Sequence, residues 1–133
     1  MSFFKKILGR KRKEVLKEKN KSSINWLPLT TIDGLKDLEK TSKTQSVLIF
    51  KHSTRCGISS IVMKQFESLF SQEYQNLKVY YLDILNYRTI SDQIEYSFKI
   101  PHESPQLIVL KNGISVYNAS HYDITLVDLS RFI

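Results

Sequence analysis

The chain holds a single cysteine, Cys56, among 133 residues. No internal disulfide can form, so a stapled secreted scaffold is excluded, as is a four-cysteine zinc site. The histidines are scattered without ligand spacing, so no metal site is expected. No apolar run nears the ~18 residues a membrane span needs. Met1 to Leu8 hold an apolar patch but neither an uninterrupted apolar stretch nor a small-residue cleavage site. No secretory signal is read there, and a cytoplasmic, reducing setting is expected. What is present suits a folded domain: 41% hydrophobic and 25% charged residues argue against disorder. The length fits one domain, able to bury roughly two-thirds of its extended-chain surface.

Charge is unevenly spread. Residues 1–22 carry nine of the 20 basic residues and two of the 13 acids, so eleven of each remain in residues 23–133. The net positive charge therefore belongs to the N-terminal extension, and the domain after it is neutral. Phe3, Phe4, Ile7 and Leu8 can share one face of a short helix with bases opposite. A solvated, flexible or partly helical extension is the plain reading. Contact with an anionic membrane surface comes second. Nucleic acid ranks last and is not expected as a partner, because no aromatics interleave the bases.

From residue 23 onward the pattern alternates between strands and helices. Ile24 to Leu29 reads as a short strand, at an edge because of Pro28. Thr31 or Asp33 can cap a helix over 32–41. Ser46 to His52 contains four consecutive apolar residues and reads as a strand buried on both faces. Residues 56–70 have helical spacing through Ile58, Ile61, Val62, Phe66, Leu69 and Phe70. Lys78 to Ile84 is a strand and 86–98 a helix, with Tyr80, Tyr81, Tyr87 and Phe98 read as core. Pro105 opens a strand over 106–111, and Asn112-Gly113 signals a hairpin returning through Ile114 to Tyr117. A final helix is expected over 123–132, capped by Asp123, with Leu126, Leu129 and Phe132 facing inward. The order is α/β, with parallel strands first and an antiparallel edge last.

Cys56 falls in the turn between the buried strand and the long helix. Helical N–H groups are unpaired there and the dipole is positive, so a thiolate is stabilised. Arg55 and His52 add positive potential nearby, though a strand-end histidine bonded to backbone is the plainer reading of His52. Ser59, one turn on, can donate a hydrogen bond to the sulfur. The inert alternative is a small buried hydrophobe. The polar or tiny neighbours Ser53, Thr54, Arg55, Gly57 and Ser59 speak against it. Asp83 reads as a solvated acid at its strand end, and His102 and His121 receive no role.

The element order, a cysteine in that turn and a proline before the penultimate strand together resemble the thioredoxin fold. More narrowly, Lys51-His52-Ser53-Thr54-Arg55-Cys56-Gly57-Ile58-Ser59, followed by His102-Glu103-Ser104-Pro105-Gln106, resembles the monothiol bacilliredoxin family (YtxJ-like bacillithiol-system proteins) over about residues 24–133. Gly57 stands where better-known members carry proline. The resemblance implies a thioredoxin-like domain, mixed in its sheet, that removes bacillithiol from protein mixed disulfides. Cys56 would be the nucleophile with Ser59 beside it, and Arg55, Gly57, Ser104 and Pro105 would receive the substrate. Pro105 matches the fold's cis-proline. Bacillithiol would be a co-substrate, no cofactor would be bound, and bacillithiolated proteins and a low-molecular-weight thiol would be the partners. With one cysteine, an external thiol must resolve the intermediate.

Two other readings stand beside this one. Cys56-Gly57-Ile58-Ser59 is close to the loop of monothiol glutaredoxins, with Lys51 upstream, which suggests an iron–sulfur cluster carrier. Glu103-Ser104-Pro105 and the missing paired glycines count against it. The other is a thioredoxin-fold adaptor in which Cys56 is incidental.

Overall fold

The computed structural model describes residues 24–133. The expectations for the basic extension lie outside them. Five strands form one mixed sheet: β1 (Trp26–Pro28), β2 (Val47–His52), β3 (Lys78–Asp83), β4 (Gln106–Lys111) and β5 (Ile114–Ser120), in the spatial order β1-β3-β2-β4-β5. β1, β3 and β2 run parallel, while β4 is antiparallel to β2 and β5 to β4. Pro28 lies on an edge strand, where its missing N–H breaks no ladder. β2 is central, and all six of its residues are buried, as its continuous apolar run requires.

Helices cover both faces. α1 (Ile32–Thr41) and α3 (Arg88–Phe98) bury Leu35, Leu38, Ile90 and Ile94 against Val47, Ile49 and Ile108. α2 (Gly57–Ser68) buries Val62 and Phe66 on the opposite face against Leu48, Phe50 and Leu107. Thr31 caps α1, its hydroxyl accepting the Gly34 N–H at 2.9 Å. Asp33 sits in the first turn, where its charge suits the dipole. The hairpin turn has positive φ at both Asn112 (55°) and Gly113 (75°), as a two-residue turn matching strand twist demands. Ser42 pins it: its carbonyl accepts the Asn112 N–H at 2.7 Å and its hydroxyl the Gly113 N–H at 3.0 Å.

Several expectations are corrected. β5 continues to Ser120, beyond Tyr117. The final helix over 123–132 is instead two 3-10 turns, His121–Leu126 and Leu129–Phe132, separated by an extended Val127. Ile124, Val127, Leu129 and Phe132 are the buried side chains. The spacing of three within 124–127 and 129–132 suits 3-10 turns, and one straight α-helix would turn part of this set away. Leu126 accordingly faces solvent, 78% exposed. Asp123 caps nothing, while Asp128 accepts the Ser130 N–H at 3.1 Å. Ile58 and Ile61 also point outward from α2, and Tyr80, Tyr87 and Phe98 line the core only partly buried.

Candidate active site

Cys56 is the N-cap residue of α2, half-buried, with extended backbone at φ −103° and ψ 118°. A short turn delivers it there. β2 ends at His52, and the Cys56 N–H then donates back to the Ser53 carbonyl at 3.2 Å. The Cys56 carbonyl accepts the Ser60 N–H at 3.2 Å, starting the helix. Cys56 thus stands at the helix end whose first N–H groups have no intrahelical partner. Thr54, Arg55, Gly57 and Ile58 are exposed around it.

Ser59 is placed differently from expectation. It is fully buried, and its hydroxyl is bonded to His52 and Ser53 rather than to the cysteine sulfur. The Ser53 N–H donates to Ser59 Oγ at 3.2 Å, and Ser59 Oγ lies 2.7 Å from His52 Nδ1. The side-chain partner of His52 is therefore this hydroxyl, not backbone. Burial pushes the His52 imidazole below its ordinary value, against the opposing pull of Asp83. Its ring packs on Phe50 and Tyr81.

Ser104 and Pro105 lie at the same end of the sheet as the cysteine turn. Gln106 pairs with Lys51, so the residues before Gln106 extend past the level of His52. The Ser104–Pro105 peptide bond is cis. Pro105 is buried, and its carbonyl accepts the His121 N–H at 2.9 Å. The Ser104 hydroxyl is buried without a partner among the described residues. Arg55 and Gly57 stand on the exposed rim, and a Cβ added to Gly57 would meet nothing within 4 Å.

Asp83 sits at its strand end as expected. Burial pulls its carboxyl up, but hydrogen bonds from Asn86 and Leu85 outweigh that and bring it below its usual value. Among the described residues, no three His, Cys, Asp or Glu side chains gather as metal ligands do, and no helix is long and apolar enough to cross a membrane.

One cluster was missed by sequence reasoning. Lys51 is fully buried in β2, and its Nζ lies 3.4 Å from His102 Nδ1, which is 2.8 Å from Ser91 Oγ. The available signal was a lysine at an inward position of a strand buried on both faces.

A family model described as monothiol bacilliredoxin BrxC matches residues 27–129. Solved structures agree on the fold. One assigned as an oxidoreductase with a thioredoxin fold is 30% identical at a TM-score of 0.68, covering 80% of this chain and 91% of its own. Schistosoma mansoni thioredoxin is 20% identical at 0.64, covering 81% and 95%. Fasciola hepatica thioredoxin is 17% identical at 0.63, covering 80% and 98%. The sheet order, the helix-capping cysteine and the cis-proline loop meet in one thioredoxin-like thiol oxidoreductase fold, and the chain belongs to the monothiol bacilliredoxin family.

Proposed function

We propose that this protein removes bacillithiol from protein mixed disulfides in the cytoplasm. The observation that carries the reading is Cys56 itself: the chain's one thiol, half-buried at the N-cap of α2, at the sheet end that also carries Ser104 and Pro105. The Cys56 thiolate attacks the bacillithiol sulfur of the client disulfide. That S–S bond breaks, the client sulfur leaves as a thiolate and takes a proton from water, and Cys56 holds bacillithiol in a new disulfide. A second bacillithiol, as thiolate, then attacks the bacillithiol sulfur. Cys56 is released and the two bacillithiols depart as their disulfide. The client is reduced and bacillithiol is oxidised, so electrons balance without a bound cofactor.

The remaining residues have supporting roles in this proposal. Ser59 holds the first turn of α2 under Cys56. The exposed Gly57 leaves the thiol open to a bulky disulfide, and Arg55 offers positive charge beside it. Ser104 presents backbone groups and its unpartnered hydroxyl to an extended client segment. Ile58 and Ile61, 45% and 48% exposed, give an apolar border on α2 for the client.

The test follows the client thiol. A bacillithiolated client is mixed with the protein, first alone and then with free bacillithiol. One equivalent of client thiol per protein in the first case, and turnover in the second, is the expected pattern. No client thiol in either case contradicts the proposal. Turnover supported by a thiol protein but not by bacillithiol would retain the first step and replace the second.

A further inference from the structure

Lys51 is a large, fully buried side chain in the central strand, and it bears a charge. A charged group without a counter-ion is expensive to bury. Among the described residues the one ion pair is Arg88–Asp92, at 3.2 Å on the surface of α3. The Lys51 ammonium instead meets His102 Nδ1 at 3.4 Å. An ammonium only donates, so His102 Nδ1 is the acceptor and the ring carries its proton on Nε2. Ser91 Oγ reaches the same nitrogen at 2.8 Å from α3. One imidazole nitrogen thus joins β2, α3 and the segment leading to Ser104 and Pro105.

That segment is gripped a second time. Gln106 Nε2 donates to the Pro101 carbonyl at 3.1 Å, and Gln106 Oε1 accepts the Glu103 N–H at 3.4 Å. Gln106 is the β4 partner of Lys51 in the sheet register. Lys51 cannot easily yield, being held between Leu82 of β3 and Gln106 of β4. The loop is the movable party.

We propose that Lys51 is a positioning residue whose ammonium, acting through His102, holds the loop carrying Ser104 and Pro105 in its client-receiving place, and that protonation of His102 releases that loop. This rests on the reading that the loop receives the client segment. A proton on Nδ1 removes the lone pair that Lys51 and Ser91 share and sets two positive groups against each other. The charged groups facing the pair are Arg88, Asp92 and Glu95, all from α3. Burial, then Lys51 and Arg88, push His102 below its ordinary value, against Glu95 and Asp92. The released state therefore belongs to pH below the ordinary imidazole range.

The test compares wild type, Lys51→Met and His102→Gln. Nuclear magnetic resonance follows the His102 ring and the Ser104 and Gln106 amides against pH. Exchange rates are measured with a bacillithiolated extended peptide and with a small aromatic disulfide that needs no loop contact. In wild type the amides should move with the His102 titration. In Lys51→Met the His102 midpoint should rise, the amide response should vanish, and peptide exchange should fall about tenfold while the small disulfide reacts as before. His102→Gln keeps an acceptor but cannot titrate, so it should keep exchange at neutral pH and lose the amide response. If Lys51→Met fails to fold, this variant decides alone.

Amides that ignore His102 in wild type, or equal losses for both substrates in Lys51→Met, overturn the proposal. A wild type that reacts with the small disulfide but never with the bacillithiolated peptide overturns the functional reading instead. The resonance arm would then still decide the loop coupling.

Discussion

His52 Nδ1 and Ser59 Oγ lie 2.7 Å apart in the interior, joining the last residue of β2 to the first turn of α2. The Ser53 N–H donates to the same hydroxyl at 3.2 Å, so one oxygen serves both partners. The cysteine turn is thereby closed from beneath by one buried hydroxyl. Ser59→Ala leaves the Ser53 N–H and His52 Nδ1 unpaired, and should cost ~1–3 kcal/mol of stability in urea unfolding.

A second prediction concerns acid. The folded-state pKa values of His52 and His102 are both lowered from 6.5, chiefly by burial. The unfolded chain therefore takes up these protons first as pH falls. The stability these two groups allow is fully present above about 6.5 and declines as pH falls through that value toward the lower folded ones. Unfolding midpoints between pH 5 and 8 should show this decline, and His52→Gln should flatten part of it.

Lys51 acts on the alkaline side. Its amine is pushed down from 10.5 to about 8, first by burial, with Arg88 adding to this and Glu95 and Asp92 opposing it. Between about 8 and 10.5 the unfolded chain holds this proton and the folded chain does not. Stability from this group therefore rises with pH across that window. Lys51→Met should be more stable than wild type by ~1–4 kcal/mol at pH 7. The gap should narrow as pH rises through the window, read by chemical unfolding at each pH.

Gly57 imposes no steric demand. A Cβ there meets nothing within 4 Å, and its φ lies outside the left-handed region. Gly57→Ala should raise stability by ~0.4–1 kcal/mol by narrowing the unfolded ensemble. Gly57→Pro should also fold, since the first helical position tolerates proline and the extended Cys56 backbone suits a residue preceding one. Thermal unfolding of both variants checks this.

Much of this arrangement was legible in the sequence, for identifiable reasons. The run Val47 to Phe50 is apolar on both faces and can only be a central strand. Asn112-Gly113 and Cys56 sit at positions whose local chemistry is strong. The C-terminal segment misled because Leu126, Leu129 and Phe132 share helical spacing, whereas burial selects Val127 over Leu126. The partners of Ser59 and Lys51 were not legible. His52 is seven residues from Ser59, and His102 is 51 residues from Lys51. Both pairs form only when the sheet brings strand ends and loops together, and no local pattern encodes that.

The most direct measurement is the intact mass of wild type and Cys56→Ser after incubation with a bacillithiolated client. The account predicts that wild type gains one bacillithiol, lost again on adding free thiol, while the client's thiol appears and the variant does neither. An unmodified wild type beside a client that keeps its bacillithiol would contradict it.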